Sequence, residues 1–496
     1  MTRLARAALR PRSGRWGLAV ALVAVCGLAA AAPAHAARVL VLEHDGRAVV
    51  RNDPFLPPLA LTPTPSAAMA RAVGPAAHAG NQTVRSGLAR LRRMNLISPS
   101  LYGSYLGSFN AALGTANRLG GTRGAELGAV IANLESMAAG GWLTPSRLPV
   151  LFLTLNRNRQ WWTTGPLLGT YQRVQFTGSR LVWEYYPGQG IELQELGSFS
   201  TANALCQAGK SQQAACAQLL SELIPLAARR GGRLTWEYYF NFDGGVPPWT
   251  SAMSQGTALQ ALAHGYRATG DADYLAIGDR ALNVFKAAPP MGVAVRTPLG
   301  ARYVQYTFDS GRGDEVINAF LQSLIGLDEF AHASKSQLAA RLFAAGNAEA
   351  QAELPAFDTG AWSLYQPGIE DDLSYHHLVT GFLQQLCGLT NARIYCVTGA
   401  RFQRDLKTPP ALTLLTTHAV AHQPATVYFD LSKVSRVGIT IRRGTTTVFL
   451  TSAGFPYGSQ SFQIPSLSAG TYTVALDATD LAGNYNRITG TLHVAR

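Results

Sequence analysis

The 496-residue chain lacks the short motifs that mark several large enzyme classes. It has no Walker-type phosphate loop, no G-x-S-x-G nucleophile elbow and no H-E-x-x-H helix. These absences argue against a nucleotide cofactor, serine hydrolysis and zinc catalysis, so we expect neither a cofactor nor a catalytic metal. The chain also lacks a basic run interleaved with aromatic residues, which argues against nucleic acid as a partner.

Long hydrophobic runs are absent beyond the N-terminus, where one apolar stretch covers Trp16–Ala32. Five arginines precede this stretch and Ala34-His35-Ala36 follows it, which is the arrangement of a secretory signal and its cleavage site. We therefore expect a signal peptide over 1–36 and a mature protein without a membrane span. An uncleaved membrane anchor is the alternative. The predicted location is secreted, either extracellular or in the cell envelope.

Cysteine is scarce: the chain has five, and four once the predicted signal is removed. They fall into two close pairs, Cys206 with Cys216 and Cys387 with Cys396. In an oxidising compartment we expect each pair to form a local disulfide. A zinc site is less favoured, because neither pair has C-x-x-C spacing and no histidine cluster completes a set of four ligands.

Acidic residues are outnumbered, with 29 Asp and Glu against 42 Lys and Arg and a net charge of +13. The predicted signal carries five of these charges, which leaves +8 on the mature chain. A mildly basic exported protein fits an anionic partner, such as a uronate-containing polysaccharide or an anionic cell envelope. Association into a homodimer is left open.

Three patterns divide the mature chain. Residues 37–81 predict a β-hairpin over Val39–Val50 and then a proline-rich arm. Residues 82–408 show apolar positions at helical spacing between Gly- or Asp-containing turns, which predicts paired antiparallel helices, with β-prone inserts at 173–186 and 292–307. The predicted helices are Tyr102–Arg118, Gly124–Ala139, Cys216–Arg229, Ala252–Thr269, Tyr274–Ala287, Val316–His332 and Gln337–Phe343.

Residues 409–496 have a different pattern, in which β-branched residues alternate along short segments separated by polar turns. This pattern predicts a β-sandwich. It is similar to the immunoglobulin-like repeats attached to exported bacterial enzymes, so we expect a role in display, spacing or polymer adhesion.

Two tyrosines, Tyr365 and Tyr375, flank a short acidic loop, 366–372, whose Pro and Gly prevent a continuous helix. Tyr375 opens a stretch with apolar residues at helical spacing, and His376 follows it directly. Phenols at a helix start, beside an imidazole and a loop, suit proton transfer in a cleft. The alternative is an aromatic cluster that packs two helices together.

Four sequence blocks lie in one order between Trp183 and Arg401. They are Glu184–Ile191, Pro247–Gly256, the strings Val316–Phe320 and Ser323–Leu327, and the Trp-Ser-x-Tyr … Tyr-His pair around Tyr365 and Tyr375. Together they resemble the D-glucuronyl C5-epimerase family, in particular its catalytic C-terminal domain. The resemblance implies an α/α-toroid (an incomplete α/α-barrel) and the epimerisation of D-glucuronate residues to L-iduronate within a polysaccharide.

The resemblance also implies the catalytic residues, since the family's essential tyrosines fall on Tyr306, Tyr365 and Tyr375. C5 epimerisation removes a proton α to a carboxylate and returns one to the opposite face, so it needs an acid and a base on opposite faces of the sugar. We expect Tyr375 to transfer one proton with His376 tuning it, Tyr306 to act at the other face, and Tyr365 to hydrogen-bond the uronate. Packing is the alternative role for each tyrosine. The predicted substrate-binding residues are Tyr186, Gln189, Trp249, Gln255, Gln305, Asn318 and His376.

Two positions depart from the family pattern. Gln305 stands where members acting on heparan precursors usually have Glu, and Gly368 stands where they have Arg. Arg302 or Arg312 could replace the missing cation. The departures keep two other functions open: a polysaccharide lyase, which shares the α-proton abstraction and then expels the C4 substituent, and a non-catalytic carbohydrate-binding protein.

Overall fold

The computed structural model describes residues 37–56, 83–308 and 315–496. The predicted signal peptide, most of the proline-rich arm, and Arg312 lie outside these residues. The predicted hairpin is present, because β1 (Ala37–Leu42) and β2 (Ala48–Asp53) pair in antiparallel orientation. In the part of the chain that is described, no helix has the length and apolar character to span a membrane.

Four helices follow the hairpin, and side chains fix where the first two begin. The hydroxyls of Thr83 and Ser98 accept backbone N–H groups of the first turn, and Pro99 takes the first helical position, where no N–H is needed. The helices are α1 (Val84–Arg93), α2 (Pro99–Leu119), α3 (Gly121–Ala139) and α4 (Leu148–Thr164). Helix α4 was not predicted, because its buried positions include Asn158 and the adjacent pair Trp161 and Trp162, which obscure a single apolar stripe.

A five-stranded sheet joins the N-terminal hairpin to the rest of the chain. Its further strands are β3 (Arg173–Phe176), β4 (Trp183–Tyr186) and β5 (Gly190–Leu193), and the order is β2-β1-β3-β4-β5. Strand β1 pairs with β3 in parallel, and the other neighbours are antiparallel. The predicted insert 173–186 is therefore a true strand pair.

Four helical hairpins form the central part of the chain. Their helices are α5 (Glu195–Gln207), α6 (Gln213–Leu223), α7 (Ala252–Thr269), α8 (Asp273–Ala281), α9 (Ile317–Ser334), α10 (Gln337–Glu353), α11 (Leu373–Thr390) and α12 (Arg393–Asp405). Short strand pairs lie between them: β6 (Ala228–Arg230) with β7 (Arg233–Thr235), β8 (Ala294–Thr297) with β9 (Gly300–Tyr303), and β10 (Leu364–Gln366) with β11 (Ile369–Glu370).

The odd-numbered helices of these hairpins form an inner layer, and each even-numbered helix packs on its own partner. The first turns of α5, α7 and α9 meet in one apolar cluster, through Leu196, Met253 and Ala319, and Leu378 and Phe382 of α11 pack against it. The inner helices are therefore parallel, and their N-terminal ends lie at one end of the domain.

Two disulfides connect the layers. Cys206–Cys216 joins α5 to α6, and Cys387–Cys396 joins α11 to α12. Both are the pairs predicted from the sequence, and each ties an inner helix to its outer partner.

The C-terminal region consists of two sheets that share one apolar cluster. Its strands are β12 (Leu412–Leu414), β13 (His418–Val420), β14 (Ala425–Leu431), β15 (Ser435–Arg443), β16 (Thr446–Phe455), β17 (Gly458–Ile464), β18 (Gly470–Asp480) and β19 (Tyr485–Ala495). The sheet orders are β12-β14-β17 and β13-β19-β18-β15-β16. The mainly α class with a β-rich C-terminal region is confirmed, whereas the closure of a toroid and the immunoglobulin-like assignment stay predictions.

Three predicted helices have the wrong bounds. The helix predicted over Tyr274–Ala287 ends at Ala281, where a 3-10 helix (Leu282–Lys286) begins. The helix predicted over Cys216–Arg229 ends at Leu223, because Pro225 follows and residues 228–230 enter strand β6. The helix predicted over Gln337–Phe343 continues to Glu353. Its added turns are rich in Ala and Glu, which are strong helix formers but give no apolar stripe.

Candidate functional site

An aromatic pocket lies at the N-terminal ends of α5 and α7, where they meet β4 and the segment 238–251. The indole of Trp249 stacks on Tyr238 with 4.3 Å between ring centroids, and its Nε1–H donates to the Phe240 carbonyl oxygen at 2.8 Å. The aromatic cluster consists of Tyr186, Tyr238, Phe240, Phe242, Trp249 and Tyr306. Aromatic faces of this kind suit a sugar ring, which has apolar C–H faces and a polar rim. The enclosed volume is only about 10 Å³, room for one water molecule, so a sugar would lie against the mouth of this cluster and not inside it.

Tyr306 follows β9 and forms one wall of this pocket. Its ring stacks on Phe308 at a centroid distance of 4.9 Å and meets Trp249 edge-on at 5.6 Å. Burial raises the pKa of Tyr306 well above the usual value of a phenol, and the phenols of Tyr365 and Tyr375 raise it further. Tyr306 is therefore neutral near pH 7 and carries a proton that it can donate.

Tyr365 and Tyr375 form a ring pair, with centroids 5.0 Å apart and planes at 63°. Tyr365 lies on strand β10 and is partly exposed, whereas Tyr375 is buried in the first turn of α11. Asp372 caps that helix by accepting the Tyr375 N–H at 2.8 Å. Because both phenols act on the pKa of Tyr306, the three predicted catalytic tyrosines share one electrostatic neighbourhood.

Behind the tyrosine pair lies a buried polar triad of Ser363, Asp371 and His376. The Ser363 hydroxyl lies 2.5 Å from Asp371 Oδ2 and 2.7 Å from His376 Nδ1. His376 Nε2 lies 3.0 Å from the carbonyl oxygen of Phe402. Since a carbonyl can only accept, Nε2 carries the imidazole proton and Nδ1 accepts from Ser363.

Burial also decides the charge of this triad. It lowers the pKa of His376 to about 4 and raises the pKa of Asp371 to about 7. Near pH 6 both side chains are therefore neutral. The Ser363 hydroxyl donates to Asp371 Oδ2, and the Ser363 backbone N–H donates to His376 Nδ1 at 3.3 Å, so both contacts have a donor.

The structure corrects two of the predicted substrate contacts. His376 is completely buried and its two ring nitrogens are paired with Ser363 and Phe402, so it positions its neighbours and does not reach the pocket. Gln255 is also buried, and its Nε2 donates to the Trp236 carbonyl oxygen and the Thr250 hydroxyl, both at 2.9 Å. In both residues the polar side chain is occupied by hydrogen bonds within the fold. The sequence motifs do not reveal these internal partners.

Tyr186 and Trp249 line the pocket, whereas Gln189 is not among its lining residues. The Tyr186 hydroxyl accepts a hydrogen bond from the Gln194 amide. The Gln189 side-chain oxygen accepts from the Asn133 amide at 3.2 Å and from the Asn241 backbone N–H at 3.0 Å. Gln189 therefore holds the segment 238–251 in position.

Gln305 and Asn318 are buried polar residues with unused hydrogen-bonding capacity among the described residues. The Gln305 amide hydrogen-bonds the Tyr306 hydroxyl, but its Oε1 has no partner there. Neither Nδ2 nor Oδ1 of Asn318, at the start of α9, finds a partner in the described part of the chain. Unpaired buried amides of this kind are costly in an empty protein and can be satisfied by a bound polar ligand.

Two carboxyl groups near the pocket were not predicted. Glu195 opens α5, is completely buried, and has no hydrogen-bond partner for either oxygen among the described residues. Burial raises the pKa of Glu195 well above the usual range, so it is a neutral acid. Asp243 lies in the turn after Phe242 and acts on the pKa of Tyr306. Sequence offered no signal for either, because both become neighbours of the tyrosines only through long-range packing.

Arg302 and Arg312 were considered as replacements for the family arginine that is missing at Gly368. Arg302 has another role, and Arg312 lies outside the described residues. Arg302 pairs with Glu353 at 3.1 Å, away from the pocket lining. Gly368 has φ +82 at the tip of the β10–β11 hairpin, a conformation that disfavours an arginine at this position. In the described segments, no group of three or more His, Cys, Asp or Glu side chains is arranged to hold a metal ion.

Comparison with known proteins identifies the central stretch. The family D-glucuronyl C5-epimerase C-terminus matches residues 230–404. The D-glucuronyl C5-epimerase of Caenorhabditis elegans is 27% identical over 176 residues, which cover 32% of this chain and 28% of that protein. The uncharacterized protein MJ1128 of Methanocaldococcus jannaschii is 27% identical over 168 residues, 33% of this chain and 54% of that protein. The chain thus spans about half or less of the length of these curated relatives.

Solved structures with partial similarity include cellobiose 2-epimerases. That of Bacillus thermoamylovorans is 14% identical with a TM-score of 0.32, covering 43% of this chain and 59% of the other. That of Spirochaeta thermophila is 12% identical with a TM-score of 0.32, covering 59% and 73%. The similarity is confined to the central stretch: residues 230–404 match the C-terminal domain of the D-glucuronyl C5-epimerase family.

Proposed function

We propose that this protein is a uronate C5-epimerase that converts D-glucuronate to L-iduronate residues within a polysaccharide. The observation that carries the proposal is that Tyr306, which lines the aromatic pocket, lies close enough to the Tyr365–Tyr375 ring pair for both phenols to act on its pKa, inside the stretch that matches the family. These are the positions to which the family's essential tyrosines correspond.

The two sides of the pocket suit opposite roles in proton transfer. Tyr306 is a neutral phenol held by aromatic neighbours and by the Gln305 amide, so we assign it the return of a proton to C5. Tyr375, on the separate element α11, acts as a phenolate and takes the C5 proton from the other face, and Tyr365 beside it hydrogen-bonds the uronate. After turnover Tyr375 loses that proton to solvent and Tyr306 regains one. One proton leaves C5 and one returns, so the reaction is redox-neutral and consumes no cofactor.

The enolate-like intermediate needs hydrogen-bond donors, since Gly368 supplies no cation. The Gln305 amide is next to Tyr306, and the Asn318 amide has two unused polar atoms among the described residues. Neutral donors in a dry pocket can stabilise developing negative charge without a paired arginine. We therefore assign both amides to the carboxylate side of the bound sugar.

We place this reaction outside the cytoplasm, on an extracellular or cell-envelope polymer. Two disulfides tie the helical layers together, and structural disulfides are typical of oxidising compartments. The net positive charge of the chain favours association with an anionic polymer.

The test is product analysis after incubation of the protein with a panel of glucuronate-containing polymers. NMR of the recovered polymer distinguishes the C5 epimers, and ultraviolet absorbance detects a C4–C5 double bond. We expect iduronate signals with unchanged chain length, and no signals from a neutral glucan. An unsaturated product with shortened chains would instead establish a lyase, and bound but unchanged polymer would establish a carbohydrate-binding protein.

A further inference from the structure

The C-terminal β region contacts the helical part of the chain directly beside the tyrosine pair. Glu370 lies on β11, in the hairpin between Tyr365 and Tyr375. Its Oε1 accepts the Val434 N–H at 2.7 Å, and its Oε2 accepts the Tyr457 N–H at 2.8 Å. Val434 precedes β15 and Tyr457 connects β16 to β17, so one carboxylate binds two separate loops of the β region.

Lys433 makes a second contact from the adjacent position of the same loop. Its side chain is 1% exposed, and its Nζ lies 2.6 Å from Asp480 Oδ2 and 2.7 Å from the Asp405 carbonyl oxygen. The same ammonium lies 5.2 Å from the ring centroid of Trp362. A buried ammonium with a carboxylate, a carbonyl and an aromatic face as partners has one defined position.

Trp362 also contacts the polar triad behind the tyrosines, so it connects Lys433 with that triad. Its Nε1–H donates to the Asp371 carbonyl oxygen at 2.8 Å, and its indole stacks on His376 with centroids 3.7 Å apart. Tyr365 is three residues after Trp362, and Tyr375 is directly before His376. Both elements that carry the tyrosine pair are thus held by side chains that the β region touches.

We propose that the C-terminal β region completes the catalytic site, with Glu370 and Lys433 as positioning residues for Tyr365 and Tyr375. This inference rests on the proposed epimerase function and replaces display or adhesion as the main role of the region. Proton transfer depends steeply on the distance between donor and acceptor, so a small displacement of the pair lowers kcat more than it changes KM.

The test uses the full chain and four variants, three of which address the Glu370 contact. Glu370→Ala removes both hydrogen bonds to the β region, and Glu370→Gln keeps one acceptor. Asp430→Asn is the control, because Asp430 is an exposed acid of the same region whose carboxylate contacts Ser459. The readouts are amide hydrogen exchange of residues 363–376 and, on the polymer found active, kcat and KM.

We expect faster exchange of residues 363–376 in Glu370→Ala, an intermediate rate in Glu370→Gln, and the wild-type rate in Asp430→Asn. We expect kcat of Glu370→Ala to fall about tenfold to hundredfold, with KM nearly unchanged. Because Lys433→Met alone would leave Asp480 buried and unpaired, the double variant Lys433→Met/Asp480→Asn tests the second contact without an unpaired charge. It should speed exchange over the same residues.

Exchange rates in Glu370→Ala that match those of Asp430→Asn would overturn the inference, as would accelerated exchange with kcat unchanged. A wild-type protein that is inactive on every polymer, yet shows accelerated exchange in Glu370→Ala, would overturn the proposed epimerase function. That result would still support the positioning of the hairpin by the β region, so the two failures are distinguishable.

Discussion

The imidazole of His376 lies flat on the indole of Trp362, with ring centroids 3.7 Å apart and ring planes at 7°. Both side chains are completely buried. Trp362 directly precedes the segment that carries Tyr365, and His376 directly follows Tyr375. One ring contact therefore fixes the spacing between the two elements of the tyrosine pair.

Replacement of this indole should destabilise the protein strongly. Trp362→Ala removes a fully buried aromatic side chain, and we expect the free energy of unfolding to fall by about 3–5 kcal/mol. Trp142→Ala is the matched control, because Trp142 is 38% exposed. Its replacement should lower the free energy of unfolding by about 1 kcal/mol or less. Denaturant unfolding measures both, and similar losses in the two variants would contradict the packing described.

The buried acid beside His376 should reveal itself in the pH dependence of stability. Burial raises the pKa of Asp371 to about 7, so from about pH 4 the folded chain binds more protons there than the unfolded chain and stability falls as pH rises. Burial lowers the pKa of His376 to about 4, so below about pH 6.5 the unfolded chain binds more protons there and stability rises with pH. In the wild type the two slopes oppose each other.

Asp371→Asn removes the contribution of Asp371 to the pH dependence of stability and leaves that of His376. Between about pH 4 and pH 6.5 we expect the stability of this variant, relative to the wild type, to increase with pH by up to about 1.4 kcal/mol per unit. Urea titrations at several pH values measure the difference. A stability difference that is independent of pH would mean that Asp371 is ionised in the folded protein.

The phenol of Tyr306 should be needed for turnover but not for folding. Tyr306→Phe keeps the ring in its aromatic contacts and removes the donated proton, so we expect activity to fall by about 10²- to 10⁴-fold. Tyr303→Phe is the control, since Tyr303 donates to the Leu342 carbonyl oxygen outside the pocket and should cost about 1 kcal/mol of stability without loss of turnover. Equal activity of the two variants would refute the role of Tyr306.

The contact between α7 and α9 predicts the effect of two glycine substitutions. A Cβ at Gly326 would overlap the Gly256 carbonyl group, whereas a Cβ at Gly381 would meet no atom within 4 Å. We expect Gly326→Ala to cost about 1–3 kcal/mol and Gly381→Ala to stabilise its helix by up to about 1 kcal/mol. Thermal unfolding of both variants measures the contrast, and a neutral Gly326→Ala would mean that the inner helices are not so closely packed.

Elements with a regular apolar stripe and clear end signals could be predicted from the sequence. Helix α7 begins and ends where it was predicted, because Ser251 caps its first turn and Gly270, with φ +79, ends it. Helix α5 was not predicted, because buried residues occupy all its faces, with Glu195, Ser198 and Thr201 among them. Such a helix in the inner layer shows no contrast between a buried and an exposed side.

The tyrosines of the site could be proposed from the sequence, but their surroundings could not. Tyr306 and Tyr375 belong to recognisable blocks, whereas Asp243 and Glu195 approach the pocket only through the packing of distant segments. The contact of Lys433 with Trp362 joins residues from two different parts of the chain. Its local sequence resembles an ordinary turn before a strand, so nothing there indicated a role near the tyrosines.

The most direct test of the account is exchange of the C5 proton with solvent. The wild type and Tyr375→Phe are incubated with a glucuronate polymer in deuterated water, and NMR follows deuterium at C5 together with chain length. The account predicts deuterium at C5 of intact chains with the wild type and its loss with Tyr375→Phe. Polymer that binds the wild type but acquires no deuterium would contradict it.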